Sequence, residues 1–552
     1  MNLLDEAWIP VRRAGGKQDW ITPYQITEPD VIALDARRPD FNGALIQFLI
    51  GLVQTTTPMD SHAEWQKWND NPPAEETLKK WFEPVREAFV FDGDGARFMQ
   101  DFSLRTEGAK DEEFNEIAAL LIESPGGNTL KENKDHFIKR GGLSALCERC
   151  AATALFTLQT NAPGGGNGHF TSIRGGGPFT TLIIPGTEKT IWQVTWLNIR
   201  ERSQFISASG DADKKEYCFI FPWVKKMTTI QPVGGKTSPK NVHPAHCFWG
   251  MPRRIRLDLK FVSEGVCQLC GRKSKRLITR YLTKPKGFDY KGGWNHPLSP
   301  YYENKSGEML ALHPQPGGIG YKHWLPIVLG LLNTKNKIQS ASIVSYALDS
   351  RRLQGKIFRL WAFGYDMDNM KARCWYESTL PIYSLAERNT EGRNLIQREV
   401  ARWIDAADYA AFRLRSAVKT AWFNDSAEVR GDLSFVDSAF WAQTEKIFYQ
   451  QLRILIEQIR DEDNDPLLMP MRQQWHDALI KAAKQLFDAE LVGVTPIERQ
   501  NPRRVAEAWR NLNGGLYGYW KKDKRIDRLS EILKLPVEQA QKKPNKLQKI
   551  TP

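Results

Sequence analysis

A chain of 552 residues is too long for one hydrophobic core and reads as two or three domains. With 41% hydrophobic and 26% charged residues it has a globular composition, and 77 Lys and Arg against 64 Asp and Glu leave a net charge of +13. The composition excludes three classes. No run approaches the ~18 apolar residues of a membrane span, Met1–Glu6 lacks the basic and apolar regions of a signal peptide, and seven cysteines, four of them in CxxC pairs, fit a reducing compartment better than a disulfide framework. The chain is expected in the cytoplasm, with no membrane partner.

In chain order, Trp8, Ile9, Pro10 and Val11 predict an early strand, and the apolar run 42–53 predicts a buried helix. A first cysteine pair, Cys147 and Cys150, is followed at once by a glycine stretch containing Gly164, Gly165, Gly166 and Asn167. Residues 179–185 read as a buried strand closed by Pro185, and 233–246 as a long polar loop. The second pair, Cys267 and Cys270, stands 116 residues beyond the first and opens a basic stretch. Between Gly271 and Lys291 there are eight Lys or Arg and a single acid, Asp289. Concentrated positive charge of this kind points to a polyanion, through phosphate neutralisation and counterion release.

After about residue 390 the period becomes helical. Val400, Trp403, Ile404 and Ala407 share one stripe, Phe448, Leu452, Leu455 and Ile459 a second, and Leu479, Ala483 and Leu486 a third. A fourth helix is expected from Arg503 to about Trp520, weakened by Gly514 and Gly515. From Lys521 onward ten basic residues face four acidic ones. No repeat and no βα alternation is present, so the predicted class is α+β. A large mixed domain over 1–390 carries the cysteines, and an antiparallel four-helix bundle with a basic tail fills 391–552.

Each CxxC places two thiolates on one side of a tight turn. Two such turns brought together supply the four soft ligands of a closed tetrahedral zinc site, which leaves no open position for catalysis. The remaining Cys218, Cys247 and Cys374 read as buried small side chains. Other motifs fail on inspection. Gly234-Gly235-Lys236-Thr237 has Ile230 where a phosphate loop needs glycine. Asp461, Asp463 and Asp465 imitate a calcium loop, but Pro466 and Arg472 occupy its glycine and glutamate positions. His243, His246 and His296 are the candidate ligands of an alternative reading, a zinc-dependent nuclease acting on nucleic acid.

The motifs taken together resemble the CasA family, the large subunits of the type I-E CRISPR surveillance complex Cascade. The resemblance rests on Asn2-Leu3-Leu4 with Trp8 to Val11, Ala145-Leu146-Cys147 to Cys150 with Ala154-Leu155-Phe156, and Asn161-Ala162-Pro163-Gly164 with Arg174-Gly175-Gly176. It continues through Cys267 to Gly271 and ends on Trp294-Asn295-His296-Pro297 with Ser299-Pro300. It implies a non-catalytic, RNA- and DNA-binding subunit in antiviral defence. Such a subunit recognises the PAM of a double-stranded DNA target, helps open the duplex and helps recruit a helicase–nuclease. Its implied partners are CRISPR RNA and the subunits CasB, CasC, CasD and CasE.

Three DNA-reading elements carry over. The glycine loop maps to Gly164, Gly165, Gly166 and Asn167. The lysine finger counts to Pro285, which leaves Lys284 and Lys286 as alternatives. The wedge maps to 366–371, where the family's glutamine is not evident and Asn369, Met370 and Lys371 are the candidates. A further loop over 125–142, with Phe137, Lys139 and Arg140, corresponds to the family's contact with guide RNA and neighbouring subunits.

Overall fold

In a computed structural model of the chain, strand Ile9–Arg13 takes in Ile9 to Val11 of the predicted segment, leaving Trp8 outside, and lies between Gln18–Ile21 and Val31–Leu34, antiparallel to both. The structure describes residues 1–536 apart from 134, 136–140, 167, 188, 261, 332–336, 354–356, 369, 425, 429, 459–465, 497–499 and 522–523. The chain divides into two compact units, Met1–Gln315 with Pro326–Ser384, and Pro316–Leu325 with Leu385–Pro552. The fold is mixed α+β. Among the described residues its sheets have two or three strands, and their ladders are antiparallel, as the missing βα alternation implied.

The first unit is organised by the helix Pro39–Thr56, which Pro39 opens and whose residues are buried on nearly every side. Phe48 is its hub, with ring centroids of Trp8, Phe89, Phe98, Phe156 and Trp249 between 5.1 and 5.9 Å away. Burying one such side chain stabilises the fold by about 2–3 kcal/mol, so the chain's aromatic richness is largely a core property. Helix Glu148–Asn161 packs on Pro39–Thr56. The predicted strand forms as Thr180–Pro185 and pairs with Phe358–Asp368, which also pairs along its length with Lys371–Ile382.

Segment 233–246 is irregular and broken by short 3₁₀ turns at Pro239–Asn241 and Pro244–Phe248. Cys218 and Cys247 are buried, but Cys374 is exposed. That corrects the expectation for Cys374, which sits near the free end of the outer hairpin strand, beyond the reach of Thr180–Pro185.

In the second unit, helix Thr390–Trp422 packs on each of Ser434–Gln458, Leu468–Gln485 and Pro502–Tyr517. The predicted stripes face inward at Val400, Trp403 and Ala407, at Phe448, Leu452 and Leu455, and at Leu479, Ala483 and Leu486. The third helix gives way at Leu486 to a π turn, Leu486–Leu491. The fourth runs through Gly514 and Gly515 without a break. Arg413 passes so close that a Cβ on Gly515 would stand 2.0 Å from its Nε. This helix ends at Tyr517, short of Trp520, because Gly518 turns with φ +84° into strand Tyr519–Lys521. Buried Glu399 accepts hydrogen bonds from Arg472 at 2.6 and 3.0 Å, pairing a charge that would be costly alone. Asp461, Asp463 and Asp465 lie outside the described residues, as does the tail from 537.

Candidate metal centre and loop cluster

The four cysteines of the two CxxC pairs come together. One sulfur from each of Cys147, Cys150, Cys267 and Cys270 lies within 4.8 Å of the others, and no disulfide joins them. Local structure explains each half. Cys147 ends the short strand Leu146–Cys147 and caps helix Glu148–Asn161, so Cys150 follows in the first helical turn. Cys267 and Cys270 occupy the turn between Val262–Val266 and Lys273–Ile278, closed by Gly271 N–H donating to the Cys267 carbonyl at 2.8 Å. Gly271 adopts φ +73° there, a conformation that favours glycine. The halves are stitched by the pairing of Leu146 and Cys147 with Ile278 and Leu277, and by Gln268 Oε1, which accepts from Ala145 N–H at 3.1 Å.

The Cys147 and Cys270 sulfurs are 3.8 Å apart. A tetrahedron with metal–sulfur bonds of about 2.3 Å has edges of about 3.8 Å, so the quartet fits one metal ion. Shared hydrogen bonds among the four sulfurs favour thiolate at Cys270 and disfavour it at Cys150, and a bound cation would displace the remaining thiol protons.

The cysteine cluster is not beside the glycine and lysine segments. It joins the two chain segments that lead to them. Helix Glu148–Asn161 has 14 residues and spans about 21 Å, so the cysteines sit at its start and the glycine stretch leaves its far end. From the second pair, the chain continues through Lys273–Ile278 and Arg280–Lys284 to Lys286.

At that far end the predicted elements converge. Gly165 N–H donates to the His169 carbonyl at 2.8 Å, and Lys286 N–H donates to the Gly168 carbonyl at 2.8 Å. Gly168 turns with φ +79°, and a Cβ there would stand 3.2 Å from Lys286 Cγ. On the other side, a Cβ on Gly164 would stand 3.2 Å from the sulfur of Met370. Met370 occupies the turn of the Phe358–Asp368 and Lys371–Ile382 hairpin, with φ +67° and 63% of its surface exposed. Glycine stretch, lysine and hairpin tip therefore form one exposed cluster, with Gly166 open to solvent and nothing within 4 Å of its Cβ position. Lys371 is exposed next to Met370.

The two lysines separate clearly. Lys284 ends a strand, paired with Arg254, and its Nζ is 3.6 Å from Glu113. Lys286 is exposed with φ +60° and has no ion pair among the described residues. Asn167, Asn369, Phe137, Lys139 and Arg140 lie outside the described residues.

Arg253 carries no motif in the sequence, yet it lies under the loop. Its guanidinium donates to the Pro163 carbonyl, and a Cβ on Gly165 would stand 3.3 Å from it. Gln159 clamps its backbone, accepting from Arg253 N–H at 3.0 Å and donating to the Arg253 carbonyl at 2.9 Å. Burial pushes Arg253 down to about 10, still cationic at neutral pH, and burial together with that cation keeps His169 neutral. Only proximity in space reveals Arg253, because its neighbours in sequence belong to a strand.

The histidines of the alternative reading are occupied elsewhere. His246 is fully buried between the Phe219 carbonyl and the Tyr290 hydroxyl, each 3.1 Å away. His296 is buried, and its Nδ1 accepts from Leu298 N–H at 3.2 Å. His243 Nδ1 accepts from Ala245 N–H at 3.1 Å. Among the described residues, the cysteine quartet is the one metal-capable group of histidines, cysteines and carboxylates.

Fold and site together define a mixed α+β protein in which two CxxC turns build a metal-capable cysteine cluster and three loop segments converge on one exposed surface. The chain belongs to the CRISPR-associated protein Cse1 family, whose model matches residues 2–486. Among solved structures it is similar to Cse1 from Thermobifida fusca, at a TM-score of 0.65 and 12% identity over 97% of this chain and 98% of that one. It is similar to CasA from Thermus thermophilus, at 0.63 and 15% over 94% and 99%. A chain within a CRISPR RNA-guided surveillance complex aligns at 0.62 and 15%, again over 94% and 99%. At these identities the likeness speaks to the fold.

Proposed function

We propose that this chain is the non-catalytic large subunit of a type I-E Cascade, recognising the PAM of double-stranded DNA. The observation that carries the proposal is the convergence of Gly164 to Gly168, Lys286 and the Met370 hairpin tip in one exposed cluster. A minor groove offers few distinguishing groups, so backbone N–H donors and one ammonium suit a permissive reading there. Lys286 is the finger, since Lys284 is committed to a strand and to Glu113. Met370 is the wedge, an exposed flexible apolar side chain on a stiff hairpin, flanked by Asn369 and Lys371. Inserting such a side chain unstacks a base step at a cost of a few kcal/mol, which begins duplex opening for the guide RNA.

The quartet Cys147, Cys150, Cys267 and Cys270 takes zinc as a structural ion. Loop 125–142, with Phe137, Lys139 and Arg140, meets the guide RNA and neighbouring subunits among CasB, CasC, CasD and CasE. The helices from Thr390 to Tyr517 form an antiparallel four-helix bundle facing the displaced strand or a neighbouring subunit. The assembled, target-bound complex recruits the helicase–nuclease in the cytoplasm. No helix among the described residues is long and apolar enough to cross a membrane.

The test compares assembled complexes on target duplexes with a matched or a scrambled flank. Lys286→Ala is expected to erase the preference for the matched flank, and Lys284→Ala to preserve it. Retention of full preference by Lys286→Ala overturns the assignment.

A further inference from the structure

The start of the basic stretch is not used by the loop cluster. Arg272, Lys273 and Lys275 surround the second cysteine turn, about one helix length from the glycine loop. They form a surface with Arg149, which lies in the first turn of helix Glu148–Asn161. Lys273 and Lys275 are two apart on strand Lys273–Ile278, so both project from its exposed face. Arg149 and Arg272 approach the same aromatic ring, Trp20, with guanidinium carbons 5.6 and 4.7 Å from its centroid.

Stacking on one indole restrains two planar guanidinium groups and leaves their edge N–H donors free for an anion. The nearby acids are largely engaged. Arg276 holds Asp92 and Glu148 at 2.9 and 3.1 Å, the amino terminus also holds Asp92, and Asp19 is held by Arg13. Among the described residues, Arg149, Arg272, Lys273 and Lys275 have no carboxylate partner within ion-pair distance, and Glu6 is the remaining exposed acid lining this surface.

We propose that Arg149, Arg272, Lys273, Lys275 and Trp20 form a second nucleic-acid site, binding the phosphodiester backbone of a single strand. Two features favour a nucleic-acid strand over an acidic polypeptide. The guanidinium forks, held on the Trp20 indole, match phosphate geometry, and an exposed strand carrying alternate lysines matches the basic track that follows a single strand's backbone. The site lies at the metal end of the platform. It stands or falls independently of PAM reading.

The experiment uses the full metal-loaded chain and fluorescence anisotropy with labelled single-stranded RNA, single-stranded DNA of the same sequence, and polyglutamate. Arg149→Ala/Arg272→Ala is expected to weaken strand binding about tenfold or more. It should also flatten the log–log salt dependence by about 1.4, since each phosphate neutralised on a single strand accounts for ~0.7 of the slope. Lys273→Ala/Lys275→Ala, which leaves the indole stack intact, should act in the same direction with metal content and melting temperature unchanged. Preference for RNA identifies the guide as the source of the strand, and preference for DNA identifies the opened target. Unchanged affinity and slope in both variants, or equal binding of polyglutamate, overturns the proposal. Gly166→Asp, which belongs to the other end of the platform, should leave this binding untouched.

Discussion

Gly166→Asp separates charge from shape at the loop cluster. Nothing lies within 4 Å of the Cβ position of Gly166, so the substitution should change folding stability by no more than about 0.5 kcal/mol. It does place a carboxylate where duplex phosphates would approach. Two like charges 4 Å apart repel by about 1 kcal/mol in bulk water and about 4 kcal/mol near a protein surface. A value near 2 kcal/mol corresponds to about thirtyfold weaker target binding. Gly165→Ala asks the other question, because its Cβ would stand 2.9 Å from His169 Cβ and must displace the bond that closes the loop. The assay is equilibrium binding of target duplex by the assembled complex at ~0.15 M salt, where screening extends over about 8 Å. Gly166→Ala should bind like the native chain and Gly166→Asp much more weakly. Equal affinity of all three, with assembly intact, would refute the placement of DNA against this loop.

Cys267→Ser removes one of four sulfurs and should leave less than one bound zinc per chain by metal analysis. A thousandfold loss of zinc affinity withdraws about 4 kcal/mol of stabilisation at saturating metal. Hydrogen exchange should then rise across 262–278 and the first turns of Glu148–Asn161, and unaltered exchange in a metal-free chain would count against a bracing role. A pH effect is expected from His246. Burial pulls it from its usual 6.5 to about 4, so its neutral form belongs to the folded state. The first unit should hold full stability above pH 6.5 and lose on the order of 3 kcal/mol as pH falls towards 4. Urea melts across that range should show the decline, with a shallower slope in His246→Gln; identical slopes would contradict it.

Much of this architecture is written in local chemistry. Periodicity located helices that propensity and stripe both favour, and two CxxC turns located a centre assembled from segments 116 residues apart. The missing parts depend on tertiary neighbours that no local pattern encodes. Gly515 sits where Arg413 takes up the space a side chain would need, and the fourth helix stops at Gly518 for a backbone reason. Lys284 and Lys286 are distinguished by a strand ladder and one carboxylate that only the fold brings to Lys284. Arg253 and Gln159 became visible only when the strand and helix carrying them were placed side by side. The cysteines and the glycine stretch stand close in sequence, yet the fold sets them at opposite ends of helix Glu148–Asn161.

Residue 370 offers the most direct measurement. A photocrosslinking amino acid placed there, in complex assembled with guide RNA and bound to its duplex, should join the DNA at the base pairs flanking the target. Crosslinks confined to RNA or to neighbouring subunits, with no adduct on the flank, would contradict duplex reading by this platform.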